Sequence, residues 1–487
     1  MPATPPPRSE IEQSFGPRER LAIWLLLASA FVVILNETIM GVALPKLMEA
    51  LDISAAAGQW LTTAFLLTMS IVIPITGMLI QRFATRALFI AAMSLFTAGT
   101  LISAIAPGFT VLLLGRVVQA CGTAIMMPLL MTTVVTLVPA GQRGRLMGRI
   151  SIVIAVAPAL GPTLSGLILE LDNWRLLFFT VLPIAAAALV LGILRLPNVG
   201  EQRRVRIDAL SVLLSVVGFG GIVYGLSAVG EQASGGETLP PWAPTLIGIL
   251  SLALFVWRQL RLQREDRALL DLRTFAHRPF ALSVLLFVFS AAALFGSLIL
   301  LPIYVQNVLG FSTLGSGLVL LPGGLVMGIL GPVVGRIVDR SGARTALVPG
   351  TIVTAIALWC MALFTDTTSI WQVLATHLAL SVGLAGVFTP LFAVSLGSLP
   401  GRLASYGSAT IATVQQVAGA AGTALFVTVM TLVSTAAAGS PEAVDPHALA
   451  AGTRVAFVLG GIMATVSAIV APFVTEASRE ESVPASA

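Results

Sequence analysis

Apolar stretches of about twenty residues recur along this chain from Leu21 to Val474, and that recurrence constrains the fold more than any motif does. Each stretch is long enough to cross about 30 Å of hydrocarbon as a helix. In lipid the backbone must satisfy its own hydrogen bonds, so only helices and closed barrels span. The period-2 alternation of a barrel strand is absent. Composition agrees: 57% of the 487 residues are hydrophobic and 10% are charged, where a soluble protein carries about 25% charged residues. The sequence therefore predicts an all-α polytopic membrane protein.

Fourteen spans are expected, at roughly 21–44, 58–80, 86–106, 110–137, 146–169, 176–196, 209–229, 243–260, 280–307, 313–337, 344–364, 371–398, 405–434 and 454–474. A twelve-span chain is the rival if 209–260 holds no crossings. Alternate connections concentrate arginine: Arg82 and Arg86; Arg143, Arg145 and Arg149; Arg203, Arg204 and Arg206; a run from Arg258 to Arg278; Arg336, Arg340 and Arg344; and Arg402. The intervening loops hold little positive charge beyond Lys46, Arg175 and Arg454. Positive charge marks the cytoplasmic side, so both termini are expected there. Residues 1–19, rich in proline and lacking the apolar core of a cleavable signal, read as a disordered cytoplasmic tail, and 475–487 as a second tail. Cys121 and Cys360 both lie in apolar spans and imply no disulfide.

A short repeat divides the chain. "GMLIQRFATRALF" at 77–89 follows the second span, and "GRIVDRSGARTAL" at 335–347 follows the tenth. If the seventh and eighth spans are an insertion, these segments hold equivalent places in two six-helix halves, 20–197 and 279–474. The linker 198–278 then carries the two extra helices. Repeated bundles around a midplane site suit alternating access.

One acid stands out. In "FVVILNETIMGVALP" (31–45), Glu37 is the only carboxylate well inside an apolar segment, where a charge costs about 2.5–3.5 kcal/mol on insertion scales. A carboxylate poised between desolvation and a nearby cation is a proton-loading site. Arg116 is the only arginine well inside a span. Counting at 1.5 Å per residue sets Glu37 about 7–8 Å and Arg116 about 9 Å to the outer side of their span centres. Three readings stay open for Glu37: a proton-coupling or cation-binding acid, a structural partner of Arg116, or a side chain reaching the outer interface. His377, inside the twelfth span, is a second titratable candidate or a hydrogen-bonded structural residue.

Six features, one of them the pair of Gly/Arg loops, together resemble the major facilitator superfamily, specifically its fourteen-helix drug/proton antiporter branch. "LNETIMGVALP" resembles the first-helix motif, and the two Gly/Arg loops resemble the cytoplasmic gating motif. "LLLGRVVQACGTA" (112–124) resembles the fourth-helix motif with Arg and Gln three residues apart, and "APALGPTLSG" (157–166) the fifth-helix antiporter motif. "NWRLLFFTVLP" (173–183) and "LPIYVQNVLGFSTLGSGLVLLPGGL" (301–325) resemble further stretches of the branch. Departures are specific: Asn36 stands where the branch usually has Asp, with the acid one place later; Gln81 and Ala84 stand where the first loop usually has Asp and Gly; and Ser165 stands where a Gly is common.

The resemblance implies two six-helix bundles plus two central helices and proton-coupled efflux of lipophilic or cationic molecules through a bacterial inner membrane. It implies proton coupling at Glu37 and Arg116. Cavity candidates are Asn36, Gln119, Met127, Tyr304, Gln306, Asn307 and His377. Gating candidates are Gln81, Arg82, Arg86, Pro158, Gly161, Pro162, Gly166, Gly335, Asp339, Arg340, Gly342 and Arg344, with Asp339, Arg340 and Arg344 forming charge-assisted links on the cytoplasmic side. Gln415 and Gln416, preceding Gly419 and Gly422, read as helix packing. Expected partners are small-molecule substrates, protons and the bilayer, not nucleic acid, with a monomer sufficient for function. No cofactor or metal is expected. Rival functions are transport of a defined metabolite on the same fold and a lipid-modifying membrane enzyme; no GxxxxGK[ST], HExxH or clustered acid–His pattern supports the enzyme.

Overall fold

The computed structural model describes residues 17–137, 157, 160–171, 173–198, 208–233, 235, 239–265, 268–441 and 444–474. Pro158, residues 1–16 and 475–487 of the tails and the arginines at 143, 145, 149, 203, 204 and 206 lie outside the described residues, as does the side chain of Gln81; residues 17–19, expected in the first tail, belong to the first helix. The long helices follow the apolar runs. They are α1 (Pro17–Leu51), α2 (Trp60–Arg82), α3 (Thr85–Ala104), α4 (Phe109–Leu137), α5 (Leu160–Leu169), α6 (Leu176–Arg195), α7 (Ala209–Ala233) and α8 (Trp242–Leu262). After a linker come α9 (Arg278–Asn307), α10 (Thr313–Ser341), α11 (Arg344–Met361), α12 (Ile370–Gly397), α13 (Gly401–Ala438) and α14 (Pro446–Val470).

Thirteen of these are long and apolar enough to cross a membrane; α5 is the described ten-residue part of the fifth span. Ladder hydrogen bonds inside each helix leave only the ends to satisfy. Ser312 caps α10 by accepting from Gly315 N, and Asp445 caps α14 from Ala448 N. The loop after α10 turns at Gly342, whose φ of 82° is open to glycine. Prolines inside α1, α2, α4, α6 and α9–α12 are tolerable because neighbouring helices absorb the freed carbonyls.

Two packing groups form. In the first, α4 packs on α1, α2 and α3, while α6 packs on α1 and α3. In the second, α9 packs on α12, α13 and α14, α11 on α12 and α14, and α10 on α12. The groups meet where α1 faces α9 and where α2 faces α13. The α7–α8 hairpin is not a soluble excursion, as the twelve-span count requires. Both helices are apolar spans, and α7 lies against α2 and α13.

Close approach between spans rests on small residues. A Cβ at Gly99 of α3 would sit 2.4 Å from Gln119 N, and one at Gly122 of α4 would sit 2.3 Å from Ala92 O. Gly350 and Gly383 play the same part between α11 and α12.

The cytoplasmic ends of α7 and α8 are tied by a fork. Arg258 Nε and Nη2 donate to Asp208 Oδ2 and Oδ1 at 2.6 and 2.7 Å, a bidentate geometry stronger than a point contact. The Arg258 guanidinium holds the Asp208 carboxyl down at about 2, well below its ordinary value. Because that pKa is depressed on folding, the stabilisation is present above the ordinary carboxylate pKa and fades as pH falls toward 2. Asp208→Asn is expected to lower the melting temperature in detergent by about 1–3 °C at pH 7. The difference from wild type should vanish in scans at strongly acidic pH.

Candidate functional site

Successive residues of a helix point about 100° apart, so the "NET" triplet of α1 addresses three surroundings at one depth. Asn36 is buried and its Oδ1 accepts from Arg116 Nη1 at 3.0 Å. Thr38 bonds back to Leu35 O at 3.0 Å. Glu37, between them, is half-buried and faces a narrow cavity of about 30 Å3. Leu298 and Phe295 of α9, Phe65 and Thr62 of α2, and Pro162 of α5 share its wall. That volume holds about one water molecule.

Arg116 is fully buried, one of the largest side chains that is so among the described residues, and is built in from three helices. Nη1 donates to Asn36 on α1 and to Gln119 Oε1 on α4 at 2.8 Å, while Nε donates to Leu61 O on α2 at 3.2 Å. The guanidinium lies over the Phe65 ring at 4.0 Å, a favourable cation–π placement when desolvated. All its hydrogen-bond partners are neutral, and Nη2 has none among the described residues. Gln119 is held in turn by donating from Nε2 to Thr100 Oγ1 at 2.8 Å. Arg116 and Glu37 interact electrostatically, but on α1 the residue that accepts a hydrogen bond from Arg116 is Asn36, the one before the acid.

Glycines let the neighbours close on this turn. A Cβ at Gly161 of α5 would lie 2.1 Å from Thr38 Oγ1, and one at Gly41 would lie 2.8 Å from Leu298 O on α9. Farther out, Gly166 presses on Leu314 and Gly317 on the Pro162 carbonyl. The described hydrogen bonds between 20–197 and 279–474 sit at the outer end or the midplane. Gln306 Nε2 donates to Val42 O (3.2 Å) and Thr163 Oγ1 to Gly317 O (3.3 Å), and Gln416 Nε2 points at Met69 Sδ (3.6 Å).

The remaining candidates disperse. Tyr304 is buried against Phe364 (ring centroids 5.2 Å apart), with its hydroxyl donating to Thr365 O; it lies away from the Glu37 cavity. Gln306 and Asn307 line an outer vestibule of about 700 Å3 with Lys46, Glu49 and Glu170. Met127 is half-buried in helix packing. His377 is buried behind the cavity wall, its Nε2 3.2 Å from Leu320 O. On the cytoplasmic side Arg82 lies over the Phe83 ring, and Arg86 donates to Ile193 O. Asp339, Arg340 and Arg344 are exposed, and no ion pair joins them among the described residues. That corrects the expected charge-assisted link at this loop: in this conformation the three side chains stand apart in solvent. A Cβ added at Gly335 would find Thr389 Cγ2 no nearer than 4.0 Å.

Gln416 of α13, read from sequence as helix packing, directs Nε2 at Met69 Sδ of α2 across the interface between the groups (3.6 Å), close to Glu37.

The sequence matches the Major Facilitator Superfamily over residues 26–423. The chain belongs to that superfamily. Its relatives include the MFS-type transporter YcnB of Bacillus subtilis, 41% identical over 444 residues covering 91% of this chain and 92% of the relative. The lincomycin resistance protein LmrB of Listeria innocua is 40% identical over 455 residues, covering 93% and 96%. The fold is shared with a solved peptide transporter, POT in complex with sulfate, at a TM-score of 0.67 and 15% identity over 93% of this chain and 94% of that one. This major facilitator protein is thus a multi-pass membrane transporter of small molecules, not an enzyme.

Proposed function

We propose that this transporter exports lipophilic or weakly cationic molecules in exchange for protons, by alternating access between halves spanning 20–197 and 279–474, in a bacterial inner membrane. The observation that carries the reading is the separation of roles on α1. Asn36 holds Arg116, leaving Glu37 as the one carboxylate on the wall of the cavity between the halves. Relatives named for lincomycin resistance favour a drug-like substrate over a metabolite.

Facing outward, Glu37 takes a proton and loses its attraction for a cationic solute, which leaves. Facing inward, the proton departs and the carboxylate receives the next solute. Each net charge moved inward along the potential supplies about 2.3 kcal/mol per 100 mV; one proton exchanged for one monovalent cation moves none and is driven by the pH gradient, whereas exchange for a neutral solute draws on both. Gly161, Pro162 and Gly166 let α5 press on α1 and α10 and seal the outer path in this conformation. Arg116 sustains the local positive potential without capturing the acid.

Proteoliposomes loaded with lincomycin under an imposed pH gradient test the reading. Glu37→Gln is expected to lower gradient-driven efflux at least tenfold while leaving the protein monodisperse. Undiminished efflux removes Glu37 from coupling. Failure of the wild type to move either lincomycin or ethidium shifts the reading to a defined metabolite.

A further inference from the structure

Pro302 lies inside α9 and is buried. A proline has no N–H, so the ladder bond that the carbonyl of Leu298, one turn back, would accept from residue 302 is missing. In a bilayer a carbonyl freed in this way takes its donor from a neighbouring helix or a bound water. The Leu298 carbonyl is turned toward α1. A Cβ at Gly41 would lie 2.8 Å from its oxygen and 3.7 Å from its carbon, so the oxygen leads, an approach that the missing side chain at 41 permits. Gly41 has no side-chain donor to offer it.

A donor stands one turn away. Glu37 and Gly41 share a face of α1, and Glu37, Gly41 and Leu298 all line the cavity of about 30 Å3, a volume that holds about one water molecule. Two other buried oxygens near the acid have no partner among the described residues, Thr62 Oγ1 and Gln416 Oε1. Thr62 belongs to the same half as Glu37, so a bond to it joins nothing across the interface. The charged and titratable groups around this turn are few. Arg116 of α4 acts on Glu37 electrostatically, and His377 of α12 stands behind the wall against the Leu320 carbonyl. The wall residues from α2, α5, α9 and α10 are uncharged. The charged residues of α2, α6, α9, α10 and α13 fall toward the cytoplasmic ends, at Arg82, Arg195, Arg278, Arg336 to Arg340 and Arg402.

We propose that protonated Glu37 donates a hydrogen bond to the Leu298 carbonyl, across a gap of at most one water, so that the proton adds a clasp between α1 and α9 to the outer seal. The deprotonated carboxylate sets two acceptors face to face with no proton between them, and the clasp is lost. A proton taken up from outside therefore favours closing α1 on α9 and carrying the proton inward. Once the proton has left, or a cationic solute holds the carboxylate, the outer seal keeps Gln306–Val42 and Thr163–Gly317 without the clasp and opens more readily. Pro302 is a positioning residue in this scheme: it keeps the acceptor out of the helix ladder. The proposal rests on the proton-exchange reading above.

The test uses the full chain with Cys121→Ala, Cys360→Ala and Val42→Cys. Val42 is buried on the cavity wall, so its cysteine is reached from outside when the outer end opens. Labelling by a membrane-impermeant maleimide is timed in intact cells at one neutral pH. Glu37→Gln supplies an amide that always donates and is expected to slow labelling at least about threefold, the order of one added hydrogen bond. Glu37→Ala, which donates nothing, should not slow it. With Pro302→Ala the restored N–H takes the Leu298 carbonyl back into the ladder, and Glu37→Gln should then change labelling less than about 1.5-fold. Pro349→Ala on α11, Thr62→Val and Gln416→Met should each leave the effect of Glu37→Gln in place. Slowing that persists with Pro302→Ala, or that any of those three controls removes, overturns the clasp. Carbodiimide labelling of Glu37 in monodisperse purified protein, located by mass spectrometry, reads the proton itself. Its pH midpoint should fall by about 0.5–1 unit with Pro302→Ala and hold with Pro349→Ala; a midpoint that Pro302→Ala leaves in place also overturns the proposal. Undiminished gradient-driven efflux in Glu37→Gln is a different failure, because it removes the exchange reading while the labelling still reports whether the bond forms.

Discussion

Replacing Arg116 by methionine is expected to abolish lincomycin efflux, a loss of at least 100-fold, while lowering the melting temperature in detergent by several degrees. Three acceptors lose their donor: Asn36 Oδ1, Gln119 Oε1 and Leu61 O. A buried polar atom left unmet costs about 1–3 kcal/mol. Removing the charge offsets part of this, because the guanidinium has no counter-ion at hydrogen-bonding distance among the described residues and its burial is expensive. Stability therefore falls less than the count of lost bonds suggests. Transport has no such offset, since the cation acting on Glu37 among the described residues is gone. Arg116→Lys separates charge from geometry. A single ammonium cannot reproduce a fork that serves α1, α2 and α4 at once, so efflux should still fall at least tenfold. Full activity in the lysine variant would mean that charge alone matters and that the Asn36 contact is incidental.

Much of this was legible because membrane insertion is read from length and polarity alone. The apolar runs located the helices, and counting residues set Glu37 and Arg116 at one depth. Azimuth was not legible. Which of Asn36 and Glu37 meets Arg116 depends on the rotation of α1, fixed by contacts distant in sequence: Gly161 against Thr38 and Gly41 against Leu298. A shift of the acid by one residue turns it about 100°, from the arginine to the cavity. The same blindness promoted Tyr304, whose hydroxyl serves a loop carbonyl. The fork between Asp208 and Arg258 joins residues fifty positions apart that no local pattern relates.

The fourth-helix motif shows how packing and chemistry share one stretch, and Gly99→Val is the variant that should expose it. Gly115, Gln119 and Gly122 fall at spacings of four and three, one face of α4, and that face lies on α3. A Cβ at residue 99 meets the Gln119 backbone nitrogen at 2.4 Å and its Cα at 2.7 Å. Both are main-chain atoms, so the helices must part instead of a side chain yielding. A valine there is expected to cut the yield of monodisperse protein at least tenfold, and an alanine to lower the melting temperature by several degrees. Gly220→Val, where an added Cβ has open space, should leave yield within a factor of two. The alanine variant is the informative one. Gln119 carries one of the bonds that aim Arg116, so a shift of its backbone reaches the site before the fold fails. Efflux per folded molecule should then fall by more than the folded fraction does. If the two fall together, Gly99 serves the crossing of α3 and α4 alone.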